Sequence, residues 1–451
     1  MSPRAGSAGP RPASTHTLAF VESPVQLLNV LEWAHADALR AAGEPTGPAS
    51  GAGAGAGGPA TAPAAGPAHA AGLGADASTA GAAPDAAEAA SGPTPGTAGP
   101  SPAPGPAPIP EATGPAGGPV PGTAGAVAHT GLTLVVLSPN DPMTRGQLRR
   151  MAELARGEGH EVRWEEARGG ATAPFHTVGG LAPLLRRAKR IVMGDPFSRY
   201  VQLLLTITRA RDLVVVDDGT ATMEFVSQLA RGERLVRWHR RGGRPGPRDL
   251  VFAPISASAR RRLTPGSGRR VEVFSSMPIT ETPDGVHVTA NDFSWTRARF
   301  GPPRLTKGAD LVGTSLVETG VVDPDRYLEA VKNLTKTYGA TRYFAHRRES
   351  TDKLHRLAVE TGLEIVRPDL PLELIARRGP IGRTILSFPS TVVHTLPLAL
   401  VGTEVRVAVC DIDPAWLTAT ASPRAQGFLS GVTGTARDVH RLSAVSAVSA
   451  T

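Results

Sequence analysis

The stretch Leu213-Val214-Val215-Val216-Asp217-Asp218-Gly219-Thr220 decides how this chain is read. Four apolar, mostly β-branched residues make a strand with no polar face, the pattern of a strand covered on both sides in a parallel sheet. Two adjacent carboxylates and a glycine stand where that strand ends, and in open α/β folds ligands gather at that edge. Successive side chains on a strand diverge, so at most one of Asp217 and Asp218 faces a cleft. A carboxylate in a cleft can accept a proton from an attacking hydroxyl. The plainer alternative is an Asp-Gly pair that caps the strand and turns the chain.

Toward the N-terminus the alternation of strand and helix continues. Strands are expected at 17–21, 132–137, 160–164, 190–193 and 213–216, with helices at 24–39, 141–157, 181–187 and 200–209. The second helix signal of each pair is local: Ser23-Pro24, for example, offers an N-cap followed by proline at the first helical position. This alternation predicts one Rossmann-like unit over 15–240, a parallel sheet wrapped by helices. Residues 41–128 interrupt it with Ala, Gly, Pro, Ser and Thr and hardly a large apolar side chain. Such a tract buries too little surface to offset its ordering entropy, and it is read as a disordered insertion.

Residues 241–305 are rich in Arg, Gly and Pro, and only 271–274 and 286–289 look extended, so this stretch is read as a connection. From 306 to 430 the alternation resumes, with strands at 309–313, 341–345, 363–366, 383–387 and 404–409 and helices at 324–338, 350–362, 371–378 and 390–400. That is a second Rossmann-like unit, followed by a tail over 431–451.

Composition narrows the class. The single cysteine, Cys410, excludes an intramolecular disulfide, and no Cys/His cluster has zinc-site spacing. There is no apolar N-terminal leader and no run of 18 uncharged apolar residues, which predicts a cytoplasmic protein. The formal charge is +8, and twelve arginines fall between Arg231 and Arg270. That density could attract nucleic acid, an anionic membrane or a glycan, or be a solvated loop; without interleaved aromatics it is not the pattern of a single-strand binder.

Several residues in the second unit stand at strand ends, as the two aspartates do. Gly313-Thr314-Ser315 follows a strand with a glycine and two hydroxyls, able to cradle a phosphate or simply to turn. His346-Arg347-Arg348 lies before a helix and could clamp an anionic leaving group. Glu373 begins a short helix, where the dipole favours a carboxylate in any case. Ser390-Thr391 precedes another helix and could address a phosphate or merely cap. Asp411-Ile412-Asp413 has the spacing of a metal pair, but beside Pro414 after the last strand it is read as structural, and no metal site is expected.

In this order, Asp217-Asp218-Gly219, His346-Arg347 and Ser390-Thr391 resemble the three motifs of bacterial sialyltransferases and polysialyltransferases, including the lipooligosaccharide group. Phe20-Val-Glu-Ser-Pro-Val-Gln26 is similar to that family's first strand and turn. The resemblance implies two facing Rossmann-like domains in a B-type glycosyltransferase architecture. It also implies an inverting, metal-independent transfer of a sialic acid from its cytidine monophosphate (CMP) ester to a glycan or glycolipid, and allows a setting at the inner membrane face. Asp217 or Asp218 would be the base and His346 would bind or protonate the leaving phosphate. Glu373 would contact the ribose, and Ser390 and Thr391 would hold phosphate oxygens. The chain departs from the pattern where His-Pro has become His346-Arg347, which gives up proline's fixed φ. It departs again where the Gly-Ser-Pro-Asp turn has become Gly313-Thr-Ser-Leu316, leaving Glu318 as the nearest acid. A different nucleotide sugar, or nucleotide binding without turnover, are the alternatives.

Overall fold

The computed structural model describes residues 16–43, 131–168, 173–237, 247–279, 281–419, 421 and 423–443. The reading of 41–128 as an insertion therefore lies, from residue 44 on, outside the described residues. In chain order the first unit comprises β1 (Thr17–Val21), α1 (Pro24–Ala42), β2 (Leu132–Leu137), α2 (Pro142–Gly157), β3 (Glu161–Glu165), α3 (Ala173–Arg187), β4 (Arg190–Met193), α4 (Arg199–Ile207), β5 (Asp212–Val216), α5 (Thr220–Ala230), α6 (Pro247–Leu263), β6 (Arg270–Ser275), β7 (Val286–Ala290) and α7 (Ser294–Arg299). The second comprises β8 (Leu305–Val312), α8 (Pro324–Tyr338), β9 (Ala340–Phe344), α9 (Thr351–Thr361), β10 (Glu364–Val366), α10 (Leu372–Arg378), β11 (Ile381–Ser387), α11 (Val392–Ala399), β12 (Arg406–Cys410), α12 (Pro423–Thr435) and β13 (His440–Leu442).

Both sheets are parallel. The first has seven strands in the order β3-β2-β1-β4-β5-β6-β7, the second six in the order β10-β9-β8-β11-β12-β13. Strands β1 and β2 are buried at every position, which is why their sequences are apolar but for Thr17 and Thr133 and do not alternate. Each order reverses at its centre, between β1 and β4 and between β8 and β11. Crevices therefore open at the C-terminal ends of those strands, where Rossmann-like sheets take ligands.

Local signals hold where they were strongest. Ser23 caps α1 by accepting the Gln26 N–H, with Pro24 in the first turn, and Gly43 ends the helix at φ 77°, a left-handed value suited to glycine. The helix runs to Ala42 rather than stopping at 39, because Gly43 supplies the terminator. Around the core the expectations needed revision. The stretch 241–305, read as a connection, supplies β6 and β7 to the first sheet and helices α6 and α7 as well. Within the tail of 431–451, His440–Leu442 pairs with β12 as an edge strand.

The two units share a core. The cluster on one face of the first sheet, with Trp33, Phe274 and Phe293 at its centre, also contains Leu370, Leu374 and Ala399 of the second unit. Each leucine side chain contributes about 1.5–3 kcal/mol when fully buried, and the alanine less. Helices α10 and α11 pack on α7 at this seam, which sets the two strand-end crevices facing each other.

Candidate active site

A cavity of about 390 Å³ lies between the strand ends of the two sheets. Its walls include Asp217, Asp218 and Gly219 from the end of β5, and Gly313, Thr314 and Ser315 from the end of β8. They also include His346 and Arg347 after β9, Glu373 of α10, and Ser390 and Thr391 after β11. Of the residues expected to carry catalysis or nucleotide binding, Arg348 alone is not on these walls; Glu318, Asp411 and Asp413 are not on them either. A larger hollow of about 550 Å³, along Arg383, Thr403, Glu404 and Arg406, opens at the N-terminal edge of β11 and β12. That is the edge away from the loops that carry chemistry in this architecture.

The two aspartates have separate roles. Asp217 is 2% exposed. Its Oδ1 accepts the Ser275 hydroxyl at 2.5 Å, and its Oδ2 accepts the Ser276 N–H at 2.6 Å and hydroxyl at 2.8 Å. Its backbone carbonyl accepts Asn29 Nδ2 at 2.9 Å. The carboxylate thus ties β5 to the turn after β6, with both oxygens engaged. Burial pushes its carboxyl above the usual carboxylate range, against these hydrogen bonds. Asp218 turns the other way, with 20% of its side chain exposed and Arg237 Nη2 3.7 Å from its Oδ2. Its N–H donates to Thr222 Oγ1 at 2.9 Å, which fixes the turn into α5. Burial and then the neighbouring Asp195 push the Asp218 carboxyl up to about 7, with Arg237, Gln26 and Arg347 opposing. A carboxyl balanced there exchanges protons readily at neutral pH.

The opposite wall is rich in donors. His346 Nδ1 accepts the Arg348 N–H at 3.2 Å, so the ring proton sits on Nε2. Burial, followed by the charges of Arg347, Arg348 and Lys353, lowers His346 to about 4. At neutral pH it is then an uncharged hydrogen-bond donor, suited to binding the phosphate. Arg347 is exposed, and its charge is felt by Asp218 and Asp141 of the first unit. Arg348 acts on His346 through its backbone N–H and its charge.

Ser390 and Thr391 precede α11, and Thr391 holds the N-cap position in αR geometry without a side-chain cap. Neither hydroxyl bonds to another group among the described residues, so the capping alternative for Ser390 does not hold. Gly219, at φ 64°, approaches Thr391 so closely that a Cβ there would stand 3.0 Å from Thr391 Cγ2. The acidic and hydroxyl motifs therefore meet face to face. Glu373 is buried, its Oε1 accepting the Thr395 hydroxyl at 2.5 Å, and burial raises its carboxyl.

Several supporting residues were not anticipated. Glu349 accepts the Tyr343 hydroxyl at 2.5 Å and the His346 N–H at 2.6 Å, and pairs with Lys353 at 2.7 Å. Gly313 makes room for this: a Cβ would lie 2.2 Å from Glu349 Oε2. The glycine thus serves the carboxylate behind the loop, whatever the loop holds in front. Lys353 also donates to the Thr314 carbonyl at 3.0 Å, joining the loops after β8 and β9. Glu318, the nearest acid to the altered turn, accepts the Ser350 N–H at 3.2 Å and lies 3.4 Å from Lys353. It braces α9 and does not line the cavity. Asp413 caps a short turn by accepting the Ala415 N–H at 2.8 Å, in keeping with a structural reading. Among the described residues no group of three His, Cys, Asp or Glu side chains is placed to hold a metal ion. No described helix is long and apolar enough to cross a membrane.

No family model matches the chain, and no curated protein matches it. Solved structures resemble it remotely. An alpha/beta-galactoside alpha-2,3-sialyltransferase from Photobacterium phosphoreum is 9% identical with a TM-score of 0.38, over 69% of this chain and 90% of that one. A sialyltransferase from Photobacterium damsela is 9% identical with a TM-score of 0.35, over 69% of this chain and 75% of that one. The E. coli heptosyltransferase WaaC is 10% identical with a TM-score of 0.32, over 69% and 84%. Likenesses this remote assign neither donor nor acceptor, and the chemistry rests on the residues themselves.

Proposed function

We propose that the chain is a glycosyltransferase that moves a sialic acid, or a related nonulosonic acid, from its CMP ester to a glycan acceptor with inversion. The observation that carries this reading is the pairing of unlike walls across one cavity. On one side is a carboxyl balanced near neutrality, Asp218; on the other are the unpartnered hydroxyls of Ser390 and Thr391, the first turn of α11 and His346 Nε2–H. Helix N-termini and neutral donors suit a phosphate leaving group. The motif order implied CMP among nucleotides, and a monophosphate carries less charge to neutralise than a diphosphate.

In the proposed step an acceptor hydroxyl gives its proton to the Asp218 carboxylate as its oxygen forms a bond to the anomeric carbon. The bond from that carbon to the phosphate oxygen breaks, and its electron pair leaves on CMP. Ser390, Thr391 and His346 donate hydrogen bonds to the departing phosphate, and Arg347 adds charge compensation. Glu373 faces the nucleoside as a ribose contact. Exposed Arg261, within the arginine-rich 231–270 stretch, is a candidate contact for an anionic surface bearing the acceptor.

Calorimetry without added metal tests the donor. CMP should bind the wild type and bind His346→Ala weakly, with UDP and GDP binding poorly to both. A preference for UDP or GDP would replace the donor assignment.

A further inference from the structure

Behind Asp218 stands a cluster that the transfer step leaves unused. Three strands of the first sheet each deliver a carboxylate just past their ends: Glu22 after β1, Asp195 after β4 and Asp218 after β5. Like charges gathered this way need counter-charges. Glu22 has its own, Arg168 at 2.9 Å, and accepts the Ser198 hydroxyl at 2.7 Å. Asp195 and Asp218 share one: Arg237 Nη2 lies 2.5 Å from Asp195 Oδ2 and 3.7 Å from Asp218 Oδ2.

The sharing is asymmetric for a structural reason. Asp195 is buried and its Oδ1 accepts the Phe197 N–H at 2.9 Å, so its carboxylate cannot follow the arginine elsewhere. The guanidinium also lies over the Phe197 ring, 5.9 Å from its centroid. Asp218 receives what remains of that charge at longer range. From the other elements it faces Gln26 of α1 and, across the cleft, Arg347. Gln26 Oε1 accepts the Glu22 N–H at 2.7 Å, which leaves its amide nitrogen for Asp218. Residue 194 must be glycine for this, since a Cβ would stand 2.2 Å from Gln26 Cγ.

We propose that Arg237 and Asp195 are positioning residues for Asp218: the arginine, anchored by Asp195, is divided between two carboxylates and so sets how readily Asp218 takes up a proton. Neither lines the cavity, so neither meets substrate. The assignment rests on Asp218 as the base. The balance of Asp218 near 7, raised by burial and Asp195 and opposed by Arg237, is what such a division yields.

The test is a carbon-13 titration of the full chain carrying labelled aspartate carboxyls, with the Asp218 resonance assigned by its loss in Asp218→Asn. Arg237→Gln should move the Asp218 midpoint up by about one pH unit, and Asp195→Asn should move it down by a similar amount, the span expected for adding or losing one nearby charge. Arg237→Lys should recover most of the wild-type midpoint. A midpoint unmoved in both variants, or displaced in the same direction by both as a loosened loop would do, overturns the proposal. If Arg237→Gln does not fold, the sign of the Asp195→Asn displacement decides alone. The titration needs neither donor nor acceptor. Failure of the CMP reading would leave these midpoints in place, and unmoved midpoints would leave the CMP reading intact.

Discussion

On the first sheet's wall nearly every polar group at the strand ends is already bound to another: Asp217 to Ser275 and Ser276, Asp195 to Phe197 and Arg237, Glu22 to Arg168 and Ser198. On the second sheet's wall the buried network stops one layer back, at Glu349, Tyr343 and Lys353, and the front is left with the Ser390 and Thr391 hydroxyls and an imidazole N–H that no group among the described residues takes. The same strand order thus produces two kinds of surface. One concentrates negative charge and releases a single carboxylate, Asp218, to the cavity. The other holds back its own partners and presents donors to an anion. A wall with satisfied groups sets a proton affinity, and a wall with unsatisfied ones binds.

The sharpest way to break that comparison lies within one dipeptide. Asp218→Asn should lower transfer by about 10²–10⁴-fold, the usual contribution of a positioned base, while leaving CMP binding unchanged. Transfer at wild-type rate in this variant would remove Asp218 from the chemistry. Asp217→Ala should act on stability instead. It strands the Ser275 and Ser276 donors in a buried site, which costs about 1–3 kcal/mol for each group left without a partner. Chemical denaturation should show the loss, and an unchanged midpoint would mean that the β5 to β6 tie is not formed in solution.

The fold was legible because its signals are local. Val214 to Val216 and Leu134 to Leu137 are apolar throughout, Ser23 caps its helix as its position foretold, and Asp141 and Ser350, read as the first residues of helices, are their caps. What escaped was pairing at long range. Nothing near Val271 or Val286 says that they continue the first sheet; only the finished neighbour β5 does. Likewise Asp217 reads the same as Asp218 until Ser275 and Ser276 arrive 58 and 59 residues later. One missed signal was available. Asn29 and Glu32 interrupt an otherwise apolar helix face, and such polar positions mark a buried partner: here Asp217 and Asn291 for the first, Trp295 and Thr296 for the second. Residues 220–230 also carried helical spacing, in Ala221, Phe225, Val226 and Leu229.

A smaller effect belongs to the donor wall. Ser390→Ala and Thr391→Ala should each weaken CMP binding by roughly tenfold, the equivalent of one hydrogen bond to a charged group. Melting temperatures should stay at the wild-type value, because neither hydroxyl caps α11. A drop in stability with unchanged affinity would return both residues to the structural role and remove the contrast between the walls.

The smallest effect, in pH dependence, separates the walls without any mutation of the second. Asp218 titrates at about 7 in the folded chain against an ordinary value of 3.8, so the folded state holds this proton more tightly than the unfolded one. The stability it brings is complete below the unfolded value and is lost as pH rises through about 7. Between pH 5 and 8 the wild-type melting temperature should therefore fall relative to Asp218→Asn, by a few degrees. Transfer should move the opposite way, rising through the same midpoint as the base ionises. His346, lowered to about 4, stays neutral across this interval and should add no inflection near 6.5. An ascending limb that survives in Asp218→Asn and disappears in His346→Gln would place the titrating group on the donor wall. In that event the imidazole would be the base, and the carboxylate cluster of the first sheet would be scaffolding alone.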